Sequence, residues 1–259
     1  MATFCNFFLV LCMTKINYVI IQDLSSYFIK FAHIFYYTTK TTKDFYINKE
    51  YIPKVKYAQD LGIIVSEDLK WRKHIDKTKT KANILSHALV RSFSPLNTNL
   101  LVNLYKTYIR PILEYNTCTW SPHLQSEIDS AESIQRKFTR ILCQRANISF
   151  SDYNDRLQML KLESLQSRRT KNDLVFLYKI LHNLVDVPFD DYFKCSDFSG
   201  HDLRRHNLHL VRPKPSKTLC RQNFFTVRVI DHWNKLPTNI ITSPSLTTFK
   251  YRLKNIHFK

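Results

Sequence analysis

Trp71-Arg72-Lys73-His74-Ile75-Asp76-Lys77-Thr78-Lys79-Thr80-Lys81-Ala82-Asn83-Ile84-Leu85-Ser86-His87-Ala88-Leu89 is the stretch at which this chain changes its hydrophobic period. Trp71, Ile75, Thr78, Ala82, Leu85 and Leu89 step by four and three, which lines one face of an α-helix. Arg72, Lys73, Lys77, Lys79 and Lys81 take the opposite face. The pattern predicts a long helix with one side for a core and a cationic side for solvent or a polyanion.

On the N-terminal side the pattern is that of strands. Phe45-Tyr46-Ile47 and Tyr51-Ile52 flank Asn48-Lys49-Glu50, a hairpin turn, and Leu61-Gly62-Ile63-Ile64-Val65 reads as a third strand. Pro53 belongs at an edge or strand end, where a missing N–H does little harm. Residues 44–70 are therefore a short antiparallel hairpin or meander, preceded by an unassigned apolar segment, 1–43.

On the C-terminal side helices continue. Ser94-Pro95 breaks the first, and Asn97 caps a second through Leu101, Leu104, Tyr105, Tyr108, Ile112 and Tyr115, with a kink at Pro111 and an end at Ser121-Pro122. Leu124, Ile128, Ala131, Ile134, Phe138 and Ile141 mark a third. A shorter one carries Leu157 and Leu160, and a fifth carries Leu174, Leu177, Leu181 and Leu184. The helical domain spans 71–185, a linker 186–200 and a basic C-terminal module 201–259. Within that module Leu208 and Leu210 alternate, then come helices through Phe225, Val229 and Trp233, and through Leu246, Phe249, Leu253 and Ile256 with Ser245 as cap. The expected fold is mainly α, with Trp71, Leu85, Leu104, Ile134, Leu177 and Trp233 buried.

Composition narrows the function classes. Glycine occurs only twice in 259 residues, where about 7% is typical. Phosphate-cradling loops, dinucleotide fingerprints and nucleophile elbows need glycine where backbone approaches a ligand, so none can be built here. Lys and Arg number 39 against 21 acids, a net charge of +18. Such a field captures polyanions, nucleic acid before an anionic membrane surface. The six cysteines are scattered, which fits reduced thiols in an intracellular, nuclear or cytoplasmic, protein. Phe4 to Ile21 is apolar, but Lys15, Asn6 and Asn17 interrupt it and it lacks a basic leader, which argues against a secretory or membrane role.

Chemistry-bearing clusters are few. Cys195, His201, His206, His209 and Cys220 share a segment, but only His201 and His206 have metal-ligand spacing, so no metal site is expected. Two-metal nucleotidyl transfer needs clustered carboxylates. No Asp-Asp precedes Asp190-Asp191, and that pair follows Pro188 in the linker; Glu67-Asp68 reads as helix-start charge. No catalytic residue is assigned. The candidate nucleic-acid contacts are Arg136, Lys137 and Arg140 beside Phe138; Arg168 and Arg169, with Lys171, between the fourth and fifth helices; and Arg204, Arg205, Arg212, Lys214, Lys217, Arg221 and Arg228. Phe224, Phe225 and Trp233 are interleaved with that last group; core packing is the preferred reading over base stacking.

The order and spacing of several short words carry a family pattern. Asp60-Leu61-Gly62-Ile63-Ile64-Val65, Asp68-Leu69-Lys70-Trp71 and His74-Ile75 resemble the strand and helix start that follow the catalytic palm in reverse transcriptases of non-LTR (LINE-type) retrotransposons, jockey-like or CR1-like. Leu104-Tyr105-Lys106, Arg110-Pro111, Leu113-Glu114-Tyr115, Trp120-Ser121-Pro122, Ile134-Gln135-Arg136-Lys137 and Tyr178-Lys179-Ile180-Leu181 continue the resemblance. The tail is its most specific part: Arg221-Gln222-Asn223-Phe224-Phe225, Arg228-Val229 and Trp233-Asn234-Lys235-Leu236-Pro237. The resemblance implies a primer-grip-like hairpin, a helical thumb holding a template–primer duplex, and a C-terminal nucleic-acid-binding extension. RNA and DNA would be its partners, with no small-molecule substrate. It departs from the family in lacking the aromatic-x-Asp-Asp of the palm in residues 1–43, so the expectation is a fragment without its own polymerase chemistry. Mg²⁺ would then belong to the full-length polymerase and no cofactor to this chain. A helical protein-interaction module without nucleic acid is the alternative, and a membrane-attached protein using Met1 to Ile21 a third.

Overall fold

The computed structural model describes residues 45–47, 50–52, 55–93, 97–150, 152–196, 208–256 and 258. They form two compact units. One contains the described residues of 45–113 and 122–150, the other those of 114–121 and 152–258. Helices predominate, with the strands confined to the N-terminal side.

The first unit opens with two separate hairpins rather than one meander. Strand β1 (Phe45–Ile47) pairs antiparallel with β2 (Glu50–Ile52), Ile47 opposite Glu50. Strand β3 (Tyr57–Asp60) pairs with β4 (Ile63–Ser66), Asp60 opposite Ile63. Leu61-Gly62, expected to begin a strand, is instead the two-residue turn. Both residues have positive φ, 43° and 87°, as a turn matching the right-handed twist of paired strands requires. The β-branched run Ile63-Ile64-Val65 is visible in the sequence; its weakly apolar partner Tyr57-Ala58-Gln59-Asp60 is not.

Helix α1 (Arg72–Ser92) follows, and its buried residues are His74, Ile75, Ala82, Ser86 and Val90. The core stripe is thus rotated from the predicted one: Trp71, Leu85 and Leu89 are half-buried, while Ser86 and Val90 face inward. Ser86 tolerates burial because its hydroxyl donates to the Ala82 carbonyl at 2.7 Å. Helix α2 (Thr98–Leu104) starts at the predicted cap, Asn97, whose side chain accepts from the Leu100 amide. It runs through a π-helical turn (Tyr105–Ile109) into α3 (Arg110–Glu114). The Arg110 amide reaches back to the Tyr105 carbonyl. Widening the turn just before Pro111 accommodates a residue that has no amide and would crowd the preceding carbonyls. Tyr105 is buried while Leu104 is half-buried and Tyr108 exposed. Helix α4 (Gln125–Arg145) packs on α1, and Ala131, Ile134, Phe138 and Leu142 are among its buried apolar residues. The predicted break at Ser94-Pro95 lies outside the described residues.

The second unit is built around helix α6 (Leu165–Leu181), preceded by the short α5 (Tyr153–Met159). After these come α7 (Leu219–Gln222), α8 (Phe225–Asn234), α9 (Thr238–Ile241) and α10 (Leu246–Leu253). Leu174, Leu177, Tyr178, Phe225, Val229, Trp233, Phe249 and Leu253 form its core. The stretch read as a linker supplies Val187 and Phe193 to that core, and Leu210 joins it through a backbone bridge to Cys195. Ser245 caps α10 as expected, accepting from the Thr248 amide.

Candidate nucleic-acid interface

Helix α4 carries three of the candidate cations. Arg136, Lys137 and Arg140 are exposed, while Ile134, Phe138 and Leu142 of the same helix are buried. Arg136 pairs with Asp129 at 3.0 Å, with both side chains nearly half in solvent, where such a pair is worth about 1 kcal/mol or less. Arg72, Lys73, Lys77 and Lys81 of α1 are also exposed. Lys73 sits 3.5 Å from the centre of the Tyr57 ring, and Lys77 donates to Gln59 at 2.7 Å. These contacts fix two cations of α1 against the β3 strand while leaving them at the surface.

The arginines of α6 have a different setting. Arg168, Arg169 and Lys171 lie inside that helix, not between helices as the sequence suggested. Arg168 grips both carboxylate oxygens of Glu114. Arg169 is buried, and Lys171 pairs with Glu163 at 2.5 Å and donates to the Lys254 carbonyl. Arg228 is likewise a structural residue. It holds Asp173 through two hydrogen bonds of 2.8 and 3.0 Å and donates to the Thr117, Cys118 and Asn223 carbonyls. Burial pushes the Asp173 carboxyl above its usual range, and the Arg228 guanidinium pulls against that rise.

In the C-terminal part, residues 211–220 are exposed except for half-buried Ser216, and they carry Arg212, Lys214 and Lys217. Arg212 meets Asp231 at 2.7 Å, Arg221 is half-buried, and Arg204 and Arg205 lie outside the described residues. Phe225 and Trp233 are core residues, the Trp233 indole donating to the Leu208 carbonyl at 2.9 Å. Phe224 is half-buried. Among the described residues the exposed candidate cations are therefore Arg136, Lys137, Arg140, Arg212, Lys214 and Lys217.

No group of three or more His, Cys, Asp or Glu among the described residues has metal-holding geometry. Cys195 and Cys220 are exposed and His209 lies beside Ser196 at 3.5 Å; His201 and His206 fall outside the described residues. Asp190 and Asp191 are exposed in a turn. Two acids of α4, Glu127 and Glu132, are buried, which the helical pattern of the sequence does not indicate. Burial raises the Glu127 carboxyl above its normal range, while His123, the Trp71 backbone and Arg72 oppose that. A carboxylate at that place faces the start of α1, whose own first turn contains no acid. No helix among the described residues is long and apolar enough to cross a membrane.

With these placements in view, comparison with known proteins gives two partial similarities. A 132-residue stretch, 51% of this chain, is 29% identical to an uncharacterized protein of Caenorhabditis elegans and covers 65% of its length. A 106-residue stretch, 40% of this chain, is 26% identical to a probable RNA-directed DNA polymerase from transposon X-element of Drosophila melanogaster. That stretch covers 12% of the polymerase, so this chain spans a small part of that relative. No family model matches, and no solved structure matches.

Proposed function

We propose that this chain is a nucleic-acid-binding segment of a non-LTR retrotransposon reverse transcriptase, of the jockey-like or CR1-like type, that holds an RNA–DNA template–primer without a polymerase active site of its own. The observation that carries the reading is the partial similarity to a transposon RNA-directed DNA polymerase. The net charge of +18 and the exposed Arg136, Lys137 and Arg140 support the binding half of it. Phosphate contacts of this kind position a protein on nucleic acid without reading bases.

The test uses the purified chain with a labelled RNA template annealed to a DNA primer. Capture of the template–primer that weakens with salt is expected, together with no incorporation of deoxynucleotides in Mg²⁺ or Mn²⁺. Incorporation that disappears on changing Asp60 or Asp68 would overturn the second half of the reading. Failure to retain the template–primer at low salt would overturn the first.

A further inference from the structure

Within the first unit a cavity of about 330 Å³ opens between α1 and α4, a volume inside the range of ~300–1,000 Å³ usual for ligand sites. Its floor is apolar, made by Val90 of α1 and by Ile134, Phe138 and Ile141 of α4. The floor is fixed from behind. Phe138 stacks on Tyr105 at 4.8 Å between ring centres, and the Tyr105 hydroxyl donates to Gln135 at 2.7 Å. The lip is cationic: Arg91, Lys137 and Arg145 line it, and no acidic side chain does. Arg145 is held in place by donating to the Val90 carbonyl at 2.8 Å. Asn83 and His87 add hydrogen-bonding edges from α1.

We propose that this cleft receives an unstacked base of a single-stranded nucleic acid, with the flanking phosphates on Arg91, Lys137 and Arg145. The inference rests on the nucleic-acid-binding reading above and gives it a specific site. A duplex keeps its rings inside the helix, so an apolar cavity with a cationic lip suits a strand whose bases are free to leave the stack. An acidic amphipathic peptide would meet the same lip, but a helical peptide needs several anchors spaced along a groove. The cavity is bounded by Asn83 to Arg91 on one helix and Ile134 to Arg145 on the other, and three cations set around one apolar floor match the phosphates that flank a single base.

The full chain is titrated with fluorescent oligouridine RNA and with an abasic ribose-phosphate oligomer of the same length. The oligomers carry equal charge, so both should show the same salt slope, while oligouridine binds roughly tenfold tighter through its bases. Ile141→Trp and Asn83→Trp fill the cavity from opposite walls. Each should abolish the preference for bases, with circular dichroism confirming the fold. Lys137→Gln, at an exposed position, should flatten the salt slope by about one contact while keeping part of the preference. Equal wild-type affinity for the two oligomers, with steep salt dependence, would remove the base pocket and leave the nucleic-acid reading standing. Salt-dependent binding of neither would remove the pocket, and the nucleic-acid reading would fall with it only if the annealed template–primer were not retained either. A preference that survives in both folded tryptophan variants would also overturn the assignment to this cleft. So would an acidic amphipathic peptide that binds wild type, is lost in both variants and fails to compete with oligouridine.

Discussion

Lys161 ends α5 with φ at 49°, and Asn147 and Asn183 end α4 and α6 at 51° and 50°. Each follows the last helical turn, and the next amide reaches back to a carbonyl five residues earlier: Ile148 to Cys143, Leu162 to Leu157, Leu184 to Lys179. This is the closure at which glycine is usually found. With two glycines in the chain, asparagine does the work twice and lysine once. A side chain with a Cβ in this region costs about 1 kcal/mol or more, less for Asn. Lys161→Gly should therefore stabilise the protein by about 1 kcal/mol, read as a higher urea midpoint, whereas Asn147→Gly should gain less. A destabilised Lys161→Gly would mean that the left-handed turn is not formed. His74 gives a second handle. Its Nδ1 accepts the Ile64 amide at 3.3 Å, tying β4 to α1, and burial, reinforced by Lys77, lowers its pKa from 6.5 to about 4. The folded state thus binds the proton later than the unfolded state. Stability is fully present above pH 6.5 and is lost as the pH falls to about 4, by up to about 3 kcal/mol. His232, also lowered by burial, acts in the same direction, while the raised Glu127 and Asp173 act in the opposite one. His74→Asn keeps an acceptor and removes the titration, so urea midpoints of the two proteins should diverge across that window. Parallel curves would assign the acid loss to other groups.

At the scale of elements, α6 and α8 are joined by an ion pair in addition to the apolar core that they share. Arg228 is 17% and Asp173 7% exposed by side chain, and the guanidinium also satisfies three backbone carbonyls. Removing one partner leaves the other charge buried, at a cost of about 3–5 kcal/mol. Arg228→Gln should lower the urea midpoint by that order and leave the salt slope of RNA binding unchanged, since the native side chain points into the fold. A folded Arg228→Gln with normal stability and a flatter slope would make it a phosphate contact instead. The case shows where sequence reading stops. Helix existence was legible from three-four stepping, and the caps Asn97 and Ser245 from residue type. Ile134, Leu177 and Trp233 are buried as expected, but Trp71, Leu85 and Leu104 are only half so. On α1, two alternative stripes pass through Ile75 and Ala82, and the packing of β4, the π-helical turn and α4 against it decides between them. Charge was legible, yet its use was not. Arg136 and Arg168 look alike in the sequence, and what separates them is a distant Glu114 that clamps one of them. The turn at Leu61-Gly62 was hidden because leucine at positive φ is rare.

For the molecule as a whole, +18 spread over 259 residues guarantees non-specific attraction to polyanions, so binding alone decides little. What discriminates is where the released counterions come from. Six of the ten candidate cations among the described residues are exposed, and they fall into two groups: Arg136, Lys137 and Arg140 on α4 of the first unit, and Arg212, Lys214 and Lys217 in the second. Each Lys or Arg that engages a phosphate contributes about −0.7 to the slope of log affinity against log salt on a single strand, and about −0.9 on B-form duplex. The α4 group lies on a rigid helix, with Lys137 and Arg140 at an i, i+3 spacing. Arg212 already shares Asp231, and its neighbours stand on a non-helical run, so ordering them on a ligand costs side-chain and backbone entropy. Replacing Lys137 and Arg140 together by Gln should therefore flatten the slope by about 1.4 on single-stranded RNA, close to two full contacts. Replacing Lys214 and Lys217 together should flatten it by less. Affinity should fall by a similar factor for RNAs of unrelated sequence, because the lost contacts are to phosphates. Both double variants change only exposed residues, and unchanged urea midpoints would confirm that binding alone is being read. A larger loss from the Lys214 and Lys217 pair would move the main interface to the second unit. Equal small losses from both would mean that the charge acts as a diffuse field, with no built interface at either place.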